Sequence, residues 1–226
     1  MHKTSMARVG GVCSILGGAI FLGSGAAFFF LVGRFDYNSI KSISDYFTAV
    51  PSAASLLTIV NLGAALASFL AIAGVLGVAD QLRPANEGLV RWTSTLAIIG
   101  YSVLAISDIA DLYQMKRMAF GYPEVASSAQ GALEVMGMGS LDPTLVLRYI
   151  AIGPWFLVAG WVALHSGQLP RLLAGLGVVA GIAAMLFVVV TFLDLQAITM
   201  AAITITLVFH PVWLIWTGLE LARAKP

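Results

Sequence analysis

Long stretches free of Asp, Glu, Lys and Arg dominate the chain, and short polar interruptions separate them. Such runs cover residues 9–33, 46–79, 149–170, 172–193 and 195–219. A shorter one at 92–107 carries its apolar pattern on through Ile109, Ala110 and Leu112. A helix rises about 1.5 Å per residue, so about 20 apolar residues cross the hydrocarbon core, and inside lipid the backbone must satisfy its own hydrogen bonds. The pattern therefore predicts an all-α fold, a polytopic transmembrane helix bundle of about six spans at roughly 9–33, 54–79, 92–112, 146–165, 171–193 and 197–219. The whole chain, 1–226, reads as a single transmembrane domain with outer loops over 34–53 and 113–145. No low-complexity linker or convincing internal repeat divides it.

The interruptions have turn chemistry. Arg83-Pro84-Ala85-Asn86-Glu87-Gly88 and Gly167-Gln168-Leu169-Pro170-Arg171 place Pro and Gly where helical hydrogen bonding must stop. Residues 194–197 read as a tight hairpin, and the two longer loops carry amphipathic stretches at 39–47 and 124–136 suited to the bilayer interface. Lys and Arg gather on the cytoplasmic side of membrane proteins. Placing both termini in the cytoplasm puts Lys3, Arg8, Arg83, Arg91, Arg171, Arg223 and Lys225 there, against Arg34, Lys41, Lys116, Arg117 and Arg148 spread over the longer outer loops. The first apolar run is too long for the core of a cleavable signal, about 7–15 residues, and is expected to stay as an anchor.

Composition strengthens the membrane assignment and narrows the chemistry. Hydrophobic residues make up 59% of the chain and charged ones 10%, where a soluble domain carries about a quarter charged. Too little polar surface is left to face water, so lipid must be the surrounding solvent. The net charge of +1 gives no basic face for nucleic acid, and the lone Cys13 excludes an internal disulfide or a cysteine metal cluster. Phosphate-binding loops, zinc-helix signatures and nucleophile elbows are missing, and no cofactor is expected.

Candidate chemistry lies in polar groups at membrane depth, each of which costs about 2.5–3.5 kcal/mol to insert when charged. Asp108 and Asp111 share a face of the third span, Arg148 begins the fourth, Asp194 ends the fifth and Asn61 lies two turns into the second. All five are expected in the outer third of the bilayer. They can form an ion-pair network around Arg148 or line a cavity for a cation, proton or polar solute, with Asp108 deepest. His210, just before Pro211, is the histidine deep in a span; it reads as a buried hydrogen-bonding group, with a pigment or haem ligand as the alternative. Small residues mark close helix contacts: Gly177 and Gly181 in the fifth span, Ala19, Gly23 and Ala27 in the first, and Gly63, Ala67 and Ala71 in the second. Pro154 and Pro211 are expected to free carbonyls one turn earlier and bend their helices.

Arg8-Val9-Gly10-Gly11 at the first span, the sizeable outer loop after it, and His165-Ser166-Gly167-Gln168-Leu169-Pro170-Arg171-Leu172-Leu173 between two late spans resemble an uncharacterised bacterial six-span family, domain of unknown function 4386. The resemblance covers most of the chain. It implies a bacterial inner-membrane bundle and transfers no activity and no functional residues.

Three functional expectations follow. The first is a structural or accessory subunit that associates, through its small-residue faces, with other membrane proteins or with its own copies in the lipid bilayer. The second is a small-solute or ion transporter or channel using the outer Asp cluster, and the third a pigment- or haem-binding subunit or membrane enzyme centred on His210. A filled core favours the first, a cavity reaching Asn61 or Asp108 the second, and open space beside His210 the third. The topology has its own test. A fluorescent protein fused after Pro226 is expected to mature in the cytoplasm while a periplasmic phosphatase at the same point stays inactive; the opposite pair of results inverts the orientation.

Overall fold

A computed structural model describes residues 6–34, 51, 54–121, 143–193 and 196–223. They form six helices: α1 Met6–Arg34, α2 Ala54–Leu82, α3 Glu87–Gly121, α4 Pro143–Ser166, α5 Arg171–Phe192 and α6 Gln196–Arg223. All six are long and apolar enough to cross a bilayer, and there is no strand among the described residues. The chain is an all-helical, multi-pass membrane protein.

Polar punctuation sets the helix ends. Asn86 Oδ1 accepts from the Leu89 amide at 3.2 Å, capping the start of α3 and satisfying one of the donors that a first turn leaves open. Gly167 ends α4 with φ +68, a left-handed conformation that glycine adopts without steric penalty, and its amide donates to Ala163 O at 3.0 Å. Pro170 then stands immediately before α5. The residues expected as a hairpin at 194–197 begin with Asp194 and Leu195, which lie outside the described residues, and Gln196 already opens α6. The amphipathic stretches at 39–47 and 124–136 also lie outside them.

The third helix is longer than the apolar pattern indicated. It runs to Gly121 rather than stopping near Leu112, so residues 113–121, read from sequence as loop, are helical. Gln, Met, Lys, Arg and Ala in this stretch are strong helix formers, and Tyr, Lys and Arg are at home at the membrane surface. Hydropathy marks where the hydrocarbon ends; helical hydrogen bonding continues past it.

Each helix packs on the next one in the chain, α6 returns to α1, and α2 also meets α4 and α6 across the middle. The result is a closed ring of six antiparallel neighbours. One end gathers the start of α1 with the ends of α2 and α6: a Cβ on Gly10 would meet Ala73 O at 2.6 Å, and one on Gly11 would meet Gly218 O and Ala222 N at 2.8 Å. The contact faces of α1 are therefore Gly10, Ser14, Gly17 and Ser24 toward α2, and Gly11 and Gly18 toward α6. The stripe expected at Ala19, Gly23 and Ala27 is not a contact face within the chain. Ala19 and Gly23 are exposed, and nothing stands within 4 Å of a Cβ on Gly23. Four-residue spacing identifies a helix face but not its partner, and α1 has small residues on several sides.

Gly177 and Gly181 are placed inside the bundle. A Cβ at Gly177 would meet Trp213 Nε1 at 2.7 Å, and one at Gly181 would meet the Leu157 backbone nitrogen at 2.5 Å. Ala67 and Ala71 of α2 are fully buried, with Ala67 O against Gly17. Leu66, Ile106, Leu172 and Phe192 are more than half exposed and face outward, as lipid allows. Pro154 and Pro211 both sit within continuous helices.

Glycine contacts of this kind make a sharp stability prediction. Gly181→Ala and Gly10→Ala should each destabilise the protein by about 1–3 kcal/mol, because backbone rather than a pliable side chain blocks the new methyl. Gly23→Ala should change stability by no more than about 0.5 kcal/mol. Unfolding of the three variants in mild detergent checks this; equal effects would contradict the packing.

Candidate functional site

Polar side chains inside lipid are tolerated when their own helix can satisfy them, and this chain uses that device repeatedly. Thr58, Ser68, Thr93, Ser102, Thr191 and Thr206 each donate to the carbonyl four residues earlier at 2.7 to 2.8 Å. Asn61 does the same with its Nδ2, which donates to Leu57 O at 2.9 Å and leaves the amide oxygen as the acceptor. Asp108, Arg148 and His210, from three different helices, converge on one space.

A cavity of about 370 Å³ lies in the half of the bundle away from the chain termini. All six helices contribute to its wall. Phe21, Ser24 and Phe28 come from α1, Asn61 and Ala64 from α2, Leu104 and Asp108 from α3, and Arg148, Tyr149, Ile152 and Phe156 from α4. Ala180 and Ala184 come from α5, and Thr206, Leu207, His210 and Pro211 from α6. Its volume falls in the range of small-molecule sites, about 300–1,000 Å³, and its mixture of apolar walls with a few polar groups is typical of them.

Of the residues singled out in the sequence, Asn61, Asp108, Arg148 and His210 border this one cavity. Asn61 and Asp108 are buried. The Arg148 guanidinium lies 5.7 Å from the Tyr149 ring centroid, and its Nε is buried without a hydrogen-bond partner among the described residues. The Tyr149 hydroxyl is within electrostatic reach of both Arg148 and Asp108. Asp111 is half-buried on α3 and is not part of the wall, so the two aspartates sharing a helix face separate in role. Asp194 lies outside the described residues.

His210 forms the boundary between the cavity and the filled half of the bundle. Its Nε2 shares a hydrogen bond of 2.6 Å with Tyr101 Oη, and the rings of Phe21, Phe156 and Tyr101 stand 5.0, 5.1 and 5.6 Å from its own. Behind it, Trp155 and Trp213 stack edge to face at 5.2 Å, and Trp213 Nε1 donates to Leu173 O at 3.0 Å. The rings of Phe21, Phe156 and Tyr101 crowd the imidazole, and the rest of its surface borders the cavity. His165 lies apart at the exposed end of α4, its Nδ1 2.8 Å from Trp161 O. No group of three or more His, Cys, Asp or Glu is close enough to hold a metal ion among the described residues.

Sequence reading alone missed Tyr101, Tyr149, Ser24 and Thr206. Thr206 stands one turn before His210 on α6, a spacing that places both on one face, and Tyr149 adjoins Arg148. Tyr101 and His210 are far apart in the chain, so only the fold joins them.

Together these features define a six-span membrane protein with an internal, partly polar cavity. The chain belongs to the family described as domain of unknown function (DUF4386), whose model matches residues 11–218. No curated protein and no solved structure gives a match.

The Tyr101–His210 bond has a measurable strength. In a double-mutant cycle combining Tyr101→Phe with His210→Phe, the coupling read from unfolding in detergent should be about 1 kcal/mol, the scale of hydrogen bonds between membrane helices. A coupling indistinguishable from zero would remove the bond from the account.

Proposed function

We propose that this protein binds a small solute in its central cavity and acts as a carrier in a bacterial cytoplasmic membrane, with both termini cytoplasmic. One observation carries the reading: a cavity of about 370 Å³ that all six helices wall and that contains Asp108, Arg148 and Asn61. An accessory subunit has no need of such a space. A dry void of this size would forfeit on the order of several kcal/mol of packing, and charged and amide groups on the wall favour water or a polar ligand instead. The position of the cavity supports a carrier further, since it lies on one side of the aromatic barrier formed by Tyr101, Trp155, Phe156 and Trp213. One side is hollow and the other is filled. The reading invokes no cofactor and no enzymatic step.

The exposed Ala19 and Gly23 on α1 favour a second role alongside the first, association with another copy or another membrane protein through a face on which backbones can approach closely.

Accessibility of the cavity to water tests the principal reading. In a Cys13→Ser background, Ala64→Cys and Ala184→Cys place a thiol on the wall, and Leu66→Cys places one on the lipid-facing side of α2. A thiol reacts as its thiolate, which forms in water and not in hydrocarbon. A water-soluble maleimide should therefore modify the two wall positions and spare Leu66→Cys in reconstituted membranes. Failure to modify either wall position would overturn the proposal.

A further inference from the structure

The solute-binding reading leaves the class of solute open, and the hydrogen bond at the floor of the cavity narrows it. Tyr101 Oη and His210 Nε2 stand 2.6 Å apart, and the distance alone does not say which of them donates. Burial decides. Tyr101 has no exposed surface, and its hydroxyl hydrogen has no acceptor among the described residues other than that nitrogen. Were Nε2 to carry a proton, the phenolic hydrogen would be left unpaired in an apolar interior, where a donor without a partner is strongly disfavoured. The same argument excludes the imidazolium, whose Nε2 also carries a hydrogen. Tyrosine is therefore the donor, Nε2 the acceptor, and the one proton of the neutral imidazole rests on Nδ1.

That proton has an outlet in the cavity. His165 turns its Nδ1 onto Trp161 O, one turn back in its own helix, at 2.8 Å. His210 makes no such bond among the described residues; it is half-buried, and its open surface borders the cavity. Thr206, one turn away on the same wall, gives its own hydrogen to Ala202 O and so adds no second donor. Phe21 and Phe156 stand 5.0 and 5.1 Å from the imidazole, and Leu104 and Ile152 border the same space. The floor thus presents one N–H in an apolar setting. A solute complementary to it brings one acceptor oxygen on an apolar body. The oxygen is uncharged, because a carboxylate between these rings would give up its hydration for a single hydrogen bond.

We infer that the cavity selects a small apolar molecule carrying an uncharged carbonyl-type oxygen, as in an aromatic ketone, with His210 Nδ1 donating to that oxygen and Phe21 and Phe156 flanking the body. Tyr101 is a positioning residue: it fixes which ring nitrogen holds the proton and so makes His210 a donor toward the solute. At about 370 Å³ the cavity is near the lower end of the size range for small-molecule sites, which fits a solute of this size and not a two-chain lipid. This inference rests on the solute-binding reading above, and the experiments separate the two.

Nitrogen NMR of full-length protein in mild detergent reads the tautomer, with isotope-labelled histidine and with His2→Gln and His165→Gln so that His210 is the one histidine. Nδ1 should be protonated and Nε2 not; a proton on Nε2 overturns the inference. Tyr101→Phe should let the proton divide between the two nitrogens, and an unchanged spectrum removes Tyr101 from its positioning role. Binding is read by protection of the thiol from the maleimide in full-length protein carrying Cys13→Ser and Ala64→Cys. Residue 64 lies near the level of Phe21, between the contacts of Gly17 with Ala67 and of Gly63 with Ser24. Acetophenone should protect at a concentration, counted in the membrane phase, about fivefold lower than α-methylstyrene, which puts a methylene in place of the oxygen; this is the scale of one hydrogen bond. Benzoate should protect less well than acetophenone, and His210→Phe should erase the advantage of the ketone. Equal protection by acetophenone and α-methylstyrene, stronger protection by benzoate, or an undiminished advantage in His210→Phe overturns the assignment. So does modification of the thiol with protection by none, a result that leaves the accessible cavity intact. Absence of modification under every condition overturns the cavity reading itself. Should His210→Phe fail to fold, the spectrum and the three-ligand comparison on protein with His210 intact still decide.

Discussion

Lipid offers no hydrogen bonds, and most of this structure follows from that one deficiency. A backbone surrounded by hydrocarbon must pair its own amides and carbonyls, so the chain is helical wherever it is apolar for long enough. Hydroxyl and amide side chains meet the same demand locally by bonding the carbonyl one turn back, as Asn61 and Thr206 do. Asp108, Arg148 and His210 are directed inward, and the inward direction in a ring of six helices is shared by all of them.

The same solvent changes what holds helices together. Hydrophobicity gives no preference for a neighbouring helix over a lipid tail, so attraction depends on how closely two backbones approach. Gly10, Gly11, Gly17 and Gly18 make α1 a two-sided wedge between α2 and α6, and Gly177 and Gly181 let α5 take the Trp213 indole and the Leu157 backbone. Small residues and large rings are complementary, as where Gly177 makes room for the Trp213 indole. The glycines permit close contact between neighbouring helices, and Trp155, Phe156, Trp213 and Tyr101 fill the middle of the bundle. Where neither device operates, beside Ala64, Ala180 and Ala184, space remains and the polar groups border it.

The bundle is filled in one half and hollow in the other. A bundle selected only for stability would extend the aromatic packing along its whole length, since a void of several hundred cubic ångströms forfeits contact energy. Keeping two oppositely charged residues at its edge adds a desolvation penalty. Both features are readily understood if a polar solute or water occupies the space. His210 belongs to the boundary instead: its bond to Tyr101 ties α6 to α3 at the floor of the cavity.

The number of spans, their approximate limits and the family resemblance were legible in the sequence because bilayer thickness imposes a length on every apolar run. The turns at Asn86 and Gly167 were legible because glycine, proline and asparagine act on their own backbone. Asn61 lies within its apolar run and Asp108 and Arg148 at the ends of theirs, so the sequence placed all three toward the same side of the bilayer. Whether Asp111 would join them at the cavity could not be read, since residues three apart on a helix share a broad face and only the neighbouring helices decide which of them meets the cavity. Nor could the sequence say that Gly23 faces outward while Gly10 and Gly18 bear the contacts, or that Tyr101 meets His210. Local physics acts within a few residues and leaves its mark on the string of letters; the pairing of faces is a property of six helices packed at once, and tertiary structure alone determined it.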